Sequence, residues 1–217
     1  MKKLFPLVTA DIALFTVTGN DLRVLLVKRG NDPAPGAWAL PGGILKPGED
    51  ASLDHTARRV LVTKTGVDVP LLAQVVTASG PDRDPRGWSV STLYFALLPG
   101  DQAPAVPGAS IEAVEWLDPR MPARRLAFDH AHLLSLALAT LRAKVEHGAL
   151  PLHVLPHKFT LTELQRACEA ILGRTLDKAA FRRVLKDEAT LELVEGEFFR
   201  GPQRPAQLYR ARKGFRF

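Results

Sequence analysis

Apolar and polar positions alternate loosely through residues 7–29, with one break at Thr18-Gly19-Asn20-Asp21. A period of two marks a strand with one buried face, and a Gly/Asn/Asp cluster marks a turn. LVTADIALFTV and LRVLLVKR are therefore predicted to be two strands of a hairpin. NDPAPGAW reads as a Pro/Gly loop, and AWALPGG as a short strand running into a double-glycine turn. From Ser52 to Thr65 the period changes. Leu53, Ala57, Val60, Leu61 and, at the edge, Lys64 gather near one face of a helix, and Gly66 suits its C-terminal stop. LLAQVVTA and STLYFALL are strands on either side of the polar loop SGPDRDPRGW, and AVEWL is a further strand. The pattern is α+β: many strands, one helix and long loops.

Residues 126–146, LAFDHAHLLSLALATLRAKVE, carry a longer helical pattern in which Leu134, Leu138, Leu141 and Val145 form a stripe. The stripe serves either as core packing for one helix or as a joint between two domains or subunits. HGALPLHVLP is a linker, which places a first domain at residues 1–147, with helix 126–146 as its connecting element, and a second at 148–217. The second begins with Thr160-x-x-Glu163, a capping box that satisfies free N–H groups at a helix start. Leu161, Leu164, Ala167, Cys168, Ile171 and Leu172 make the apolar face of that helix, so Cys168 reads as a small buried hydrophobe. Gly173-Arg174-Thr175 breaks it. A second helix over about 176–188 turns Phe181, Val184 and Leu185 inward. Lys178, Arg182 and Lys186 lie on the other face, with Arg183 beside them. LELVEGEFF, the turn RGPQRPAQ and LYRAR then form a hairpin with a basic tip. Helix, tight turn, basic helix and hairpin together make a winged helix-turn-helix.

Charge sharpens that reading. Residues 1–150 hold 16 basic and 15 acidic groups, whereas residues 151–217 hold 13 and 8, so nearly all the net charge of +6 sits in the smaller domain. Such an excess suits a polyanion, with a merely solvated surface as the alternative. Arg174, Lys178, Arg182, Arg183, Lys186, Arg200, Gln203 and Arg204 are the candidate DNA contacts. A hydrophobic share of 46% is enough for a real core, and 24% charged residues exclude wholesale disorder. One cysteine allows no internal disulfide, which suits a reducing cytoplasm, the expected location. No stretch approaches the roughly 18 apolar residues of a membrane span. Pro6 and Asp11 argue against a signal peptide at the basic N-terminus.

The chemistry of the first domain emerges from GGILKPGEDASLDHTARRVLVTKTGVDVP. Gly43, Glu49, Arg59 and Gly66-Val67 resemble the Nudix box, whose family pattern is GX5EX7REUXEEXGU with U aliphatic. The resemblance implies a loop–helix–loop in an α/β/α sandwich, with glutamates that bind Mg²⁺ for water attack on a nucleoside diphosphate linked to another group. A pyrophosphate is multiply anionic, so its cleavage calls for metal ions held by carboxylates. Here the pattern departs from the family. Nine residues rather than seven separate Glu49 from Arg59, and the later glutamate positions fall on Val60, Thr63 and Lys64. Spaced i, i+3 and i+4, they would converge on one helix face, but they present an aliphatic group, a hydroxyl and an ammonium. Glu49, Asp50 and Asp54 are nearby acids, but Asp54 is out of register. The expectation is no metal, no cofactor and no hydrolysis by the usual route, with Arg59 as a structural tie and Lys64 as a fixed positive charge beside a bound pyrophosphate.

A second resemblance covers nearly the whole chain. LPGGILKPGED, ARRVLVTKTGVDVP, DRDPRGWSVSTLYFALL, LAFDHAHLL, FTLTELQRACEAILGRTLDKAAFRRVL and RPAQLYR are similar to the Nudix-related transcriptional regulators of NAD metabolism. It implies a homodimeric repressor of NAD synthesis or salvage genes. The winged helix of such a protein binds a double-stranded DNA operator, and its Nudix-like domain senses a nucleotide effector, ADP-ribose or a related NAD metabolite. Two alternatives are an ADP-sugar pyrophosphatase that uses Mg²⁺ and a regulator of the same layout that senses a sugar or sugar nucleotide. Candidate effector contacts are Arg29, Gly43, Glu49, Lys64, Arg83, Asp84 and Arg86 for charge and hydrogen bonds. Trp38, Trp88 and Tyr94 are candidates to stack on a base, with plain packing as the alternative for Trp38 and Tyr94.

Overall fold

The computed structural model describes residues 5–102, 105–120, 124–185, 189–200, 205–215 and 217. Strand β1 (Leu7–Thr18) turns through Gly19, at φ 65°, into the antiparallel β2 (Asp21–Arg29). Two short strands follow. β3 (Trp38–Ala39) pairs with β2, and β4 (Gly42–Ile44) pairs with β1. Helix α1 spans Leu53–Thr65. It opens on Ser52, whose hydroxyl accepts from the His55 N–H, and closes on Gly66 in the left-handed region at φ 69°. β5 (Leu71–Gly80) and β6 (Ser89–Leu97) are antiparallel, β6 runs parallel to β1, and β7 (Ile111–Leu117) lies on β2. The result is a seven-stranded mixed sheet with the path β3-β2-β1-β6-β5.

Strand alternation divides the core into two layers. Ala13, Phe15, Leu93, Phe95 and Leu97 project to one face, against α2 (His130–Glu146). Ala10, Ile12, Leu14, Tyr94, Ala96 and Leu98 project to the other, against Ala57, Val60 and Leu61 of α1. This is the α/β/α sandwich that the box implies. Each fully buried Leu, Ile or Phe side chain in it contributes about 1.5–3 kcal/mol.

Helix α2 starts four residues later than its sequence pattern. Phe128 takes φ 56°, outside the helical region, and the Ala127 N–H donates to the Trp38 carbonyl at 2.8 Å. Residues 126–129 are thus held to β3, and the helix begins at His130.

After a single turn at Leu152–Val154 come β8 (Phe159–Thr160), α3 (Leu161–Leu172), α4 (Lys178–Leu185), β9 (Leu191–Phe199) and β10 (Ala206–Ala211). The strands form a sheet in the order β8-β10-β9. The capping box is made in full, with the Thr160 hydroxyl accepting from the Glu163 N–H and the Glu163 carboxylate accepting from the Thr160 N–H. Gly173, at φ 73°, ends α3. This winged helix shares its core with the sandwich. Leu164, Ala167, Cys168 and Ile171 of α3 belong to the same buried cluster as Leu133, Leu134, Leu138, Leu141 and Val145 of α2. Phe217 packs edge-on against Phe95 of β6, with ring centroids 6.0 Å apart. The α2 stripe is therefore both core and joint. Burial pushes the Cys168 thiol up to about 12, as suits a packing residue rather than a nucleophile.

Candidate functional site

A cleft of about 340 Å³ opens between the β4–α1 segment and the loops after β2, after β5 and before α2. Its floor is close-packed. A side chain on Gly42 would collide with the Asp11 carboxylate, and a Cβ on Gly43 would stand 2.6 Å from Val60 Cγ2, so both glycines are required by close approach. Arg59 fastens the box loop. Its guanidinium donates to both oxygens of Asp50, at 2.7 and 2.6 Å, and to the Ile44 carbonyl at 3.0 Å. Asp50 also accepts from the Lys46 N–H and the Thr56 hydroxyl. Foremost among these, the Arg59 bond holds the Asp50 carboxyl far below the usual carboxylate range.

Lys64 reaches from α1 into the cleft, where its ammonium donates to the Gly42 carbonyl at 2.5 Å. Burial, then repulsion from Arg29, lowers its pKa. Thr63 turns its hydroxyl back to the Arg59 carbonyl at 2.8 Å, and Val60 is 1% exposed. Mg²⁺ demands oxygen ligands in near-octahedral geometry. An ammonium, an aliphatic group and a hydroxyl spent on its own helix do not fit it. Among the described residues, no three His, Cys, Asp or Glu side chains are grouped to hold a metal ion.

The opposite wall contains a buried polar chain. Asp11 accepts from the Ser91 hydroxyl at 2.5 Å and faces His130 Nε2 at 3.6 Å. His130 Nδ1 accepts from the Leu40 N–H at 3.0 Å, which puts the proton of the neutral imidazole on Nε2, toward Asp11. Burial lowers the His130 pKa, so the ring is neutral at pH 7. Arg83 grips Asp129, the residue before α2, with two bonds of 3.0 Å. Arg29 lies over the Phe128 ring, 5.0 Å from its centroid. Arg86 pairs with Asp84 at 2.7 Å. Six cationic side chains (Arg29, Lys46, Arg59, Lys64, Arg83, Arg86) face four carboxylates (Asp11, Asp32, Asp84, Asp129) around the cleft. Arg59 and Lys46 are already paired with Asp50 and Glu49, and Arg83 and Arg86 with Asp129 and Asp84, which leaves Arg29 and Lys64, among the described residues of the cleft, as the cations outside any ion pair.

Six of the residues singled out by sequence therefore meet here: Arg29, Gly43, Lys64, Arg83, Asp84 and Arg86. The other four stand elsewhere. Trp38 packs on the α2-side core under Arg124, whose guanidinium lies 4.8 Å from the indole centroid. Glu49 sits in an exposed turn and pairs with Lys46 at 3.1 Å, so Asp50, one residue on, is the acid that Arg59 holds. Trp88 is exposed at the end of the β5–β6 loop. Tyr94 is 2% exposed, because its even position in β6 turns it under α1, where burial and then the Asp54 carboxylate raise its phenol pKa. Asp50 is one of the acids visible near the box, though spacing does not match it to Arg59, whereas Asp11, Phe128, Asp129 and His130 go unmarked in the sequence. No local motif announces them, since their partners come from distant segments.

In the winged helix, Lys178, Arg183 and Arg200 are exposed. Arg182 instead donates to the Thr162 hydroxyl of α3 at 3.2 Å, and Arg174 pairs with Glu146 of α2 at 2.6 Å. These two tie the reading unit together and to α2. Lys186, Gln203 and Arg204 lie outside the described residues. Val184, expected to face inward, is 67% exposed, because Phe181 and Leu185 alone supply the inward side of α4.

A sandwich with a Nudix box, joined through its last helix to a winged helix, defines a small-molecule-binding domain coupled to a DNA reader. Residues 8–137 match the NUDIX domain family, and residues 151–211 match the NrtR DNA-binding winged helix domain. The chain is 44% identical over 206 residues to the ADPR responsive transcriptional repressor NtrR of Acinetobacter baylyi, covering 94% of this chain and 82% of that protein. The crystal structure of Shewanella oneidensis NrtR complexed with a 27mer DNA matches at TM-score 0.83 and 37% identity, over 94% of this chain and 93% of that one. The NUDIX domain of the same protein, complexed with ADP ribose, matches at TM-score 0.60 and 40% identity, over 64% of this chain and 90% of that one. The chain belongs to the Nudix family, in its NrtR branch.

Proposed function

We propose that this protein is an ADP-ribose-responsive transcriptional repressor of NAD synthesis or salvage genes. It acts in the cytoplasm as a homodimer on a double-stranded DNA operator, and it holds its effector without cutting it. The observation that carries the non-hydrolytic part is Lys64: an ammonium bonded to the Gly42 carbonyl occupies the cleft where the family places a metal-binding carboxylate. Arg29, Lys64 and Arg86 supply fixed charge for the two phosphates, and Phe128 is the aromatic that lines the cleft. The relatives support the DNA and ADP-ribose assignments, since one is named as an ADPR responsive repressor and NrtR structures contain DNA or ADP ribose. Effector binding changes DNA affinity only through unequal affinity for the DNA-competent and DNA-incompetent arrangements.

The test is a mobility shift on the DNA upstream of the neighbouring genes, titrated with ADP-ribose, NAD and sugar nucleotides, beside calorimetry without divalent metal. ADP-ribose is expected to alter the shift and to bind metal-free. Lys64→Glu is expected to weaken that binding about tenfold or more, the worth of a charge-assisted hydrogen bond. A shift indifferent to every nucleotide, unaltered affinity in Lys64→Glu, or Mg²⁺-dependent turnover of ADP-ribose would each overturn the corresponding part.

A further inference from the structure

Helix α4 leaves a small face bare. Lys178, Ala179, Arg183 and Val184 are exposed, while Phe181 and Leu185 hold the helix to the winged-helix core. Arg182 is drawn aside to Thr162 of α3. What projects is therefore a mixed surface of one aliphatic branch, Val184, beside one guanidinium, Arg183, with an ammonium a turn and a half earlier. Val184 is 67% exposed, so its isopropyl group is free to meet a partner on this face. Valine is a mediocre helix former because its branched carbon is restricted against the preceding turn, and an uncovered isopropyl group on a helix gains nothing from burial. On a helix that enters the major groove, such a group has a defined counterpart. The thymine C5-methyl is the apolar feature the groove presents, whereas Arg and Lys address guanine edges and phosphates.

We infer that Val184 is a specificity-determining residue that reads a thymine methyl in each operator half-site. The inference rests on the proposal that α4 is the DNA-reading helix. Because the contact is one methyl against one isopropyl group, it is worth about fourfold in affinity per half-site, the transfer of a single buried methyl-sized group. Its loss leaves the phosphate contacts in place, so binding persists with relaxed preference.

The experiment uses the full chain. A preferred duplex is first selected from a random pool, and each thymine in one half-site is then replaced singly by deoxyuridine, which pairs identically but lacks the methyl. The wild type is expected to lose about fourfold at one thymine position. Val184→Ala, which improves helix propensity at an exposed site and is expected not to lower the thermal unfolding temperature, removes the contact from both half-sites, so it should bind the thymine duplex about sixteenfold less well and no longer distinguish thymine from deoxyuridine there. The inference is overturned if no single replacement weakens the wild type, or if Val184→Ala keeps the same preference for thymine at every position. Failure of the pool to yield any enriched duplex would instead remove the DNA-reading assignment, and the inference with it.

Discussion

His130 illustrates what a single residue does for this site. Its ring is 5% exposed, accepts from Leu40 and faces Asp11, so it buttresses the cleft wall in the neutral form. Its folded pKa lies below the ordinary value of about 6.5, while the unfolded chain takes up a proton near that value. Stability is therefore full above about pH 6.5 and declines as pH falls below it, by at most about 1.4 kcal/mol per pH unit for this one group. His153, also lowered by burial, adds a slope of the same sign. Denaturant titrations between pH 7.5 and 5.5 are expected to show the decline, and His130→Asn should flatten it by one proton's share. An unchanged slope in that variant would refute the assignment. Nothing in the sequence pointed to His130, because its partners lie 90 residues away at Leu40 and farther still at Asp11. Tyr94 and Trp38 mislead for the opposite reason. Aromatics near a binding motif look like stacking platforms, and only strand parity and packing reveal that one lies under α1 and the other under Arg124.

At the level of elements, hydrophobic periodicity carried most of the information. The strands and helices fall where alternation and 3.6-residue stripes place them, and Ser52, Gly66, Thr160 and Gly173 mark helix ends as their chemistry demands. The departures arise where geometry overrides counting. The box pattern assigns its first acid to Glu49 by spacing, but the loop turns Glu49 outward to Lys46 and offers Asp50 to Arg59. Asp50→Ala is accordingly expected to destabilise the protein clearly more than Glu49→Ala, whose exposed pair is worth no more than about 0.5 kcal/mol. Parallel urea titrations of the two variants decide it. The Asp50 contribution follows the sign of a depressed carboxylate. It is complete above about pH 4 and lost as pH falls below that, so the gap between the wild type and Asp50→Ala should narrow in acid. Helix α4 departs in the same manner, since a period that accommodates Phe181, Val184 and Leu185 on one side does not say how wide the buried side is.

Across the whole molecule, the two family domains share one buried core. Helix α2 packs on β5 and β6 and also on α3, Arg142 bonds to the Ile171 carbonyl, and Arg174 pairs with Glu146. Leu141 is fully buried in the shared cluster. Leu141→Ala is expected to remove about 2–5 kcal/mol. Because the loss falls on both halves at once, tryptophan fluorescence, which reports Trp38, Trp88 and Trp116 in the first domain, should shift together with amide exchange in α3. Two separated transitions would contradict a common core. Among the described residues, no helix is long and apolar enough to cross a membrane.

The double duty of α2 also bears on how such proteins can be rebuilt. The chain invites a cut at the His147–Pro156 linker, where composition changes and the winged-helix match begins. A foreign DNA-binding module spliced there would leave Leu141 and Val145 facing water, and the transplanted α3 would lack its seat. The portable cassette is instead the winged helix together with α2. A biosensor that borrows this cleft to report on nucleotides must redesign the far side of that helix before it changes anything else.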